Sequence, residues 1–262
     1  MTGPLHSPRR ARLLASRSAS AEARASAAPA GPGVSVTKLA GQTVHLLPEA
    51  ALWWPERRLL AVADLHLEKA TALARDGLML PPYDSAATLK RLAGLVERLD
   101  PAIILALGDS FHDRTGPERL EPQCSERLVR MAAGREFVWL EGNHDGAAAG
   151  TICGRVAFQE SVGALVFRHE PLEGPAPGEV AGHLHPAAKV TTRGGALRRR
   201  CFATDGARMV LPAFGALTGG LDVLDAAFAP LFDRARLEAH MVGSAAVHPV
   251  RAARLVPDRR RG

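Results

Sequence analysis

The sequence predicts an α/β sandwich, two sheets packed face to face with helices outside. Three observations carry this. In the first half, continuous apolar runs alternate with segments of helical period. In the second half, strand-like runs dominate and no helical period appears among them. The chain has 262 residues, 47% hydrophobic and 23% charged, which is enough for one large domain with a sizeable core. No stretch approaches the roughly 20 apolar residues of a membrane span, so no membrane role is expected.

The elements follow in order. Val34–Leu39 and Val44–Leu47 read as strands joined by a turn at Gly41. Leu59–Ala63 is apolar throughout, as a strand buried on both faces would be. Leu89, Leu92, Leu95, Val96 and Leu99 recur at helical spacing and predict a helix over 84–99, ended by Pro101. Ile103–Leu107 is the next buried strand, 119–133 a second helix, and Phe137–Leu140 a third buried strand. Further strands are expected at Ala164–Phe167, Val180–Ala181, Lys189–Thr192, Arg200–Ala203 and Arg208–Leu211. No internal repeat is visible.

The folded region is expected over 34–250. Residues 1–33 are Ala, Ser, Arg, Pro and Gly with few large apolar side chains, and read as a disordered extension. Arg17 and Arg24 interrupt any apolar stretch a signal peptide would need there. Residues 251–262 read as a basic tail. Each end carries five arginines against one acid, so the net charge of +6 leaves the middle at −2. Basic ends can grip a polyanion, and binding by them alone would vanish on their removal. Cys124, Cys153 and Cys201 lie far apart and form no CxxC pair, which fits a reducing, cytoplasmic compartment.

Five short segments each follow a predicted buried strand, where side chains can converge. They are Asp64-Leu65-His66, Gly108-Asp109, Gly142-Asn143-His144-Asp145, His169, and Gly182-His183-Leu184-His185. In an extended chain, side chains two apart point to one side, so Asp64 and His66 can share a cation. His183 and His185 repeat the spacing. Gly108 lets the backbone come close. Asp109 can offer two oxygens, and Asn143 a neutral amide oxygen. This mix of donors suits Mn²⁺, Fe or Zn²⁺ better than Ca²⁺. Each piece alone is weak. However, five of the 10 histidines fall in these segments, which raises the set well above chance.

The order of motifs resembles the calcineurin-like metallophosphoesterase superfamily, over about Ala61 to Pro186. The resemblance implies a four-layer α/β/β/α sandwich of two mixed sheets flanked by helices. It implies two divalent metal ions. Asp64, His66 and His185 would hold the first, Asn143, His169 and His183 the second, and Asp109 would bridge. His144 would face the substrate phosphate and protonate the departing oxygen, and Asp145 would orient His144.

The motif flanks, from Leu67-Glu68-Lys69 through Ser110-Phe111-His112-Asp113 to His169-Glu170-Pro171 and Pro186, resemble the bacterial ligase-associated metallophosphoesterases. This implies a phosphodiesterase or endonuclease acting on nucleic acid with Mn²⁺. DNA repair beside a DNA ligase, a helicase and a nuclease is implied with it. Alternatives on the same site are a phosphomonoesterase or a cyclic-nucleotide phosphodiesterase. A catalytically silent scaffold is a further one, against which the full ligand set argues. Lys69 reads as a solvated helix residue, and His112 and Asp113 as either metal support or a cap. Arg198-Arg199-Arg200 reads as a charged strand edge. Trp53 and Trp54 are expected to be partly buried rather than free to stack on bases.

Overall fold

The computed structural model describes residues 32–258. Most of the expected amino-terminal extension, residues 1–31, and the last four residues lie outside the described residues. The chain opens with antiparallel strands β1 (Ser35–Leu39), β2 (Gln42–Leu47) and β3 (Ala51–Trp54), followed by β4 (Leu59–Ala63). The first turn falls at Ala40 and Gly41, both at positive φ (46° and 81°), the geometry that matches strand twist in a two-residue hairpin. From β4 the sheet continues in parallel through β5 (Ile103–Leu107), β6 (Glu136–Leu140) and β7 (Arg155–Ala157).

Parallel neighbours require crossovers. Helices α1 (Lys69–Arg75) and α2 (Asp84–Leu99) connect β4 to β5, and α3 (Gly116–Arg119) and α4 (Pro122–Ala132) connect β5 to β6. Helix α2 has the bounds its leucine spacing predicts. Its Leu89, Leu92 and Leu95 pack on Leu60, Val62 and Ile104 of the sheet. It ends at Asp100 in the left-handed region (φ 44°), just before Pro101. The helix expected over 119–133 is two helices. Pro122 has no N–H to continue a helix from upstream, and it opens α4 instead.

The second sheet runs in the order β14 (Leu221–Asp222), β11 (Pro186–Thr192), β12 (Gly195–Thr204), β13 (Met209–Val210), β10 (Glu179–Ala181), β9 (Leu165–Arg168), β8 (Gln159–Val162). The hairpin β15 (Glu238–Val242) and β16 (Val247–Arg251) adds to β12. Leu52, Trp54, Leu59, Ala61 and Leu105 of the first sheet face Leu165, Phe167, Val180 and Phe202 of the second. This is the two-sheet sandwich expected. Helices α2 and α4 cover the first sheet's outer face. Phe228, Leu231, Phe232 and Leu237, around a 3-10 turn at Ala226–Phe228, cover Cys201, Ala203 and Val210 of the second.

Two details differ from expectation and one agrees with it. Trp53 and Trp54 are 3% and 0% exposed and point to opposite faces of β3, so both are fully committed to the two cores. Arg198–Arg200 form the charged edge expected: β11 pairs with them at Ala187–Lys189 on one side, and the strands on the other side of β12, β13 and β15, pair with it only at Cys201–Thr204. The basic tail does not begin at 251. Val256 N–H donates to the Lys189 carbonyl at 2.8 Å, Leu255 is buried, and Asp258 pairs with Arg198 at 2.8 Å. Among the described residues no helix is long and apolar enough to cross a membrane.

Candidate metal centre

Every expected ligand follows the carboxyl end of a strand. Asp64 and His66 follow β4, Asp109 follows β5, Asn143 follows β6, His169 follows β9, and His183 and His185 follow β10. Strands β4, β5 and β6 run parallel in one sheet, and β9 and β10 in the other. Loops at such ends are where α/β sheets bind ligands.

Six of the seven side chains form two groups, each with donor atoms within 4.8 Å of one another. Asp64, His66 and His185 make one, and Asp109, His169 and His183 the other. Asp109 stands between them. Its Oδ2 lies 3.4 Å from His169 Nε2 and 4.0 Å from His66 Nε2, and its Oδ1 accepts from the His144 amide at 3.0 Å. Asn143 is exposed, in the loop between Gly142 and His144.

The alternate spacing does not act through extended backbone. Asp64, His66, Asp109, His183 and His185 have φ of 53°, 42°, 43°, 68° and 46°. This left-handed conformation costs a non-glycine residue about 1–2 kcal/mol, so neighbouring structure must impose it. The loops after β4 and β5 do so by binding each other. His66 N–H donates to the Asp109 carbonyl and Leu67 N–H to that of Ser110, both at 2.9 Å. His183 N–H sits 3.1 Å from both Asp64 carboxylate oxygens, which ties β10 to β4. The twist sends His183 to the Asp109 group and His185 to the Asp64 group.

Support from outside the motifs is extensive. Glu68 is buried, with Oε1 accepting from Ser85 and Oε2 from Thr71, both at 2.8 Å. Asp84 accepts from the Lys69 and Ala70 amides and so caps α1 from α2. Phe214 N–H and Gly215 N–H bond the carbonyls of Ala63 and Asp64. Sequence reasoning singled out none of these partners beyond Glu68 and Lys69 as motif flanks. They lie on segments without a chemical motif of their own.

Glycines make the remaining room. A Cβ at Gly108 would enter the His169 ring, and one at Gly182 would stand 2.8 Å from Asp64 Oδ2. The Gly108 signal was legible, though what approaches is a ligand imidazole.

The donor set fits cations. His66 Nε2 and His185 Nε2 face each other at 3.2 Å, as do His183 Nδ1 and His169 Nε2. Facing nitrogens at this distance share either a proton or a cation. Nitrogens bound to one tetrahedral ion at ~2.0–2.1 Å stand at a similar separation. His169 Nδ1 is 3.0 Å from the Leu107 carbonyl, which can only accept, so this nitrogen carries the hydrogen and Nε2 is left as donor atom.

Charge follows the same logic. Burial, and then the nearby His185, hold His66 down at about 3, so its ring is neutral at pH 7. Burial also pulls His169 down, but the Asp109 hydrogen bond and the Asp64 and Asp109 charges outweigh it and raise His169 to about 9. Burial opposes ionisation of Asp109, yet His169 and the His144 amide hold it well below the usual carboxylate range. A proton on His169 thus occupies the place of a cation, and metal uptake must expel it. Below pH 9, apparent metal affinity is expected to fall roughly tenfold per pH unit while that proton alone competes. Calorimetric titration in buffers of different ionisation enthalpy counts the protons. A count near zero at neutral pH would contradict this.

His144 is half exposed, with Nε2 3.8 Å from Asp109 Oδ2. Its ring stacks on His112 (centroids 5.5 Å, 18° between planes) and meets His66 edge-on at 5.4 Å. Asp145 does not orient it. The Asp145 carboxylate is buried and accepts from the Phe111 amide at 2.9 Å, so it braces the loop carrying Asp109. Burial raises Asp145 to about 6. Asp113 accepts from Thr115 and Arg119 and acts as a loop cap rather than metal support. Lys69 opens α1, close enough to His66 and His112 to depress both.

With this geometry in view, the comparisons with known proteins are direct. Residues 57–205, more than half of the chain, match the calcineurin-like phosphoesterase family model. The chain belongs to the calcineurin-like phosphoesterases. The crystal structure of the Pseudomonas putida nuclease MPE is similar, at 30% identity and a TM-score of 0.66. The match covers 83% of this chain and 100% of that one. A phosphoesterase from E. coli, Yfce, matches at 16% identity and a TM-score of 0.39, over 74% of this chain and 98% of that one. No curated protein matches in sequence. This phosphoesterase is a metal-dependent hydrolase of phosphoric esters, and its two ligand groups are those of a dinuclear centre.

Proposed function

We propose that this phosphoesterase is a phosphodiesterase that cuts nucleic acid internally and works with Mn²⁺. The observation that carries the reading is the His144 ring, 49% exposed beside the shared ligand Asp109, where it meets whatever is held against the two ligand groups. Likeness to a nuclease over that protein's whole length supports the substrate class. The motif flanks support a DNA-repair role in the cytoplasm, alongside a DNA ligase, a helicase and a nuclease.

Asp64, His66 and His185 would hold one cation, Asn143, His169 and His183 the other, and Asp109 both. When bound, the pair supplies an acidified water near neutral pH and offsets charge on the phosphoryl oxygens. His144 Nε2 carries the proton the leaving oxygen needs. As the phosphorus–oxygen bond breaks, that proton passes to the departing alcohol, and the oxygen of water stays on phosphorus. Asp109 Oδ1 holds the His144 amide, so the acid is placed by a group that also binds metal.

Hydrolysis of a bis-aryl phosphate, a mono-aryl phosphate and an oligonucleotide is compared after Mn²⁺ reconstitution. We expect kcat/KM on the diester to exceed that on the monoester at least roughly tenfold, with scission of the oligonucleotide. Strong preference for the monoester overturns the reading.

A further inference from the structure

Beside the metal centre lies an open cavity of about 510 Å³ with Arg91, Arg198, Arg199 and Arg200 in its walls and Glu49 as its single acid. The concentration is unusual for this molecule, since residues 34–250 sum to −2. The cavity and the centre share one wall, the segment 213–220. On one side, Phe214 and Gly215 hydrogen-bond the backbone at Ala63 and Asp64. On the other, Arg200 donates to the Ala213 carbonyl at 2.6 Å, Arg198 to that of Gly220 at 2.6 Å, and Arg91 to that of Phe214. Leu221 N–H in turn bonds the carbonyl of the ligand His185 at 3.0 Å.

These guanidinium groups are spent mainly on neutral carbonyls. Glu49 pairs with Arg98 at 2.9 Å, outside the cavity lining, and of the four arginines Asp258 pairs with Arg198, while also taking Lys189 at 3.9 Å. Arg91 Nε is buried without a partner. Burial, and then the charge of Arg200, lower Arg91 to about 10 against the opposing charge of Glu49. Four guanidinium groups against one lining carboxylate, with Asp258 on Arg198, leave the cavity net positive, which favours an anion, and the planar guanidinium fork matches phosphate oxygens. Among the described residues no aromatic side chain lines the cavity. It therefore offers no aromatic platform for a base, and suits the backbone of a strand, which carries no sequence information. The volume suits a phosphate with its sugar.

We propose that this cavity is a second phosphate subsite, which takes a backbone phosphate of a nucleic-acid strand whose scissile phosphate lies at the metal centre. The proposal rests on the phosphodiesterase reading above. It makes cleavage indifferent to sequence and dependent on strand length, because a substrate too short to span both sites forfeits the second contact.

The test uses the full chain with Arg198 and Arg199 both changed to Ala, since Arg91 and Arg200 brace the wall at Phe214 and Ala213, next to the contacts with Ala63 and Asp64, whereas Arg198 holds it only at its far end, Gly220. Binding of a labelled single-stranded oligonucleotide is followed by anisotropy in EDTA, across a salt series. Affinity is expected to fall about tenfold and the salt slope to flatten by roughly 0.7, the share of the one phosphate the subsite takes. Arg198→Lys with Arg199→Lys should retain most of the slope. Metal content and bis-aryl phosphate hydrolysis, which does not reach the cavity, should change less than about twofold. A parallel loss of both makes the arginines structural and overturns the proposal. If the unsubstituted enzyme neither binds nor cuts the oligonucleotide, the phosphodiesterase reading itself has failed. If it does both, and the doubly substituted chain does so with the same slope, only the cavity is overturned, and the contacts lie in the Arg-rich ends. Displacement of the oligonucleotide by micromolar inorganic phosphate marks a free-anion site and overturns the strand assignment.

Discussion

His144→Ala is expected to lower kcat on a nucleotide ester at least ~100-fold, the scale of a lost general acid, with both metals still bound. Metal should stay because what His144 gives Asp109 is its backbone N–H, at 3.0 Å, which alanine keeps. The ring is 3.8 Å from Asp109 Oδ2 and in neither ligand group. The defect should shrink as the leaving group becomes more acidic, because a nitrophenolate departs without a proton whereas a nucleoside alkoxide does not. A structural defect would depress both substrates equally. Elemental analysis with kcat on both leaving groups separates the cases. Unchanged turnover of the nucleotide ester would remove His144 from the chemistry.

A second large effect is expected from one methyl group. The Cβ of Gly142→Ala would fall on the Asp109 amide nitrogen and on Asp109 Oδ1. The first is backbone, fixed by the parallel pairing of β5 with β4 and β6. The second is an atom of the shared ligand and the acceptor of the His144 amide. Neither can yield without moving Asp109 from between the two groups. Displacements of about 1 Å at a reacting centre cost ~100-fold, and we expect at least that loss, with reduced metal content. Gly146→Ala, in the same loop, meets nothing within 4 Å and has only its positive φ (52°) to resist. It should leave metal content intact. Equal metal loss in both would mean the loop backbone, not the contact with Asp109, decides the outcome.

The sequence was most legible where one local cause dominates. Helix α2 was bounded correctly because its leucine stripe and Asp100-Pro101 act within the helix itself. The segments that converge in the two candidate ligand groups were legible because histidine is scarce and each motif ends an apolar run. What stayed hidden depends on distant partners. Asp145 looks like a partner for its neighbour His144, but it bonds Phe111, 34 positions upstream. The left-handed turns at Asp64 and His66 come from hydrogen bonds to the loop after β5. The bracing of β4 by Phe214 and Gly215 spans some 150 positions and leaves no periodic trace. Strands β15 and β16 were missed because they alternate weakly and gain their place by pairing with β12.

The five left-handed ligands have an evolutionary corollary. Glycine is the residue that adopts this conformation freely, so replacing one of them by glycine relieves tension while it deletes a donor. At His66, His183 and His185 the fold gains from such a change, whereas at Asp64 and Asp109 it also forfeits the carboxylates that accept the His183 and His144 amides. Descendants that keep the sandwich and abandon hydrolysis are therefore a short mutational step away. Acid and imidazole at these five positions stand against the preference of the backbone.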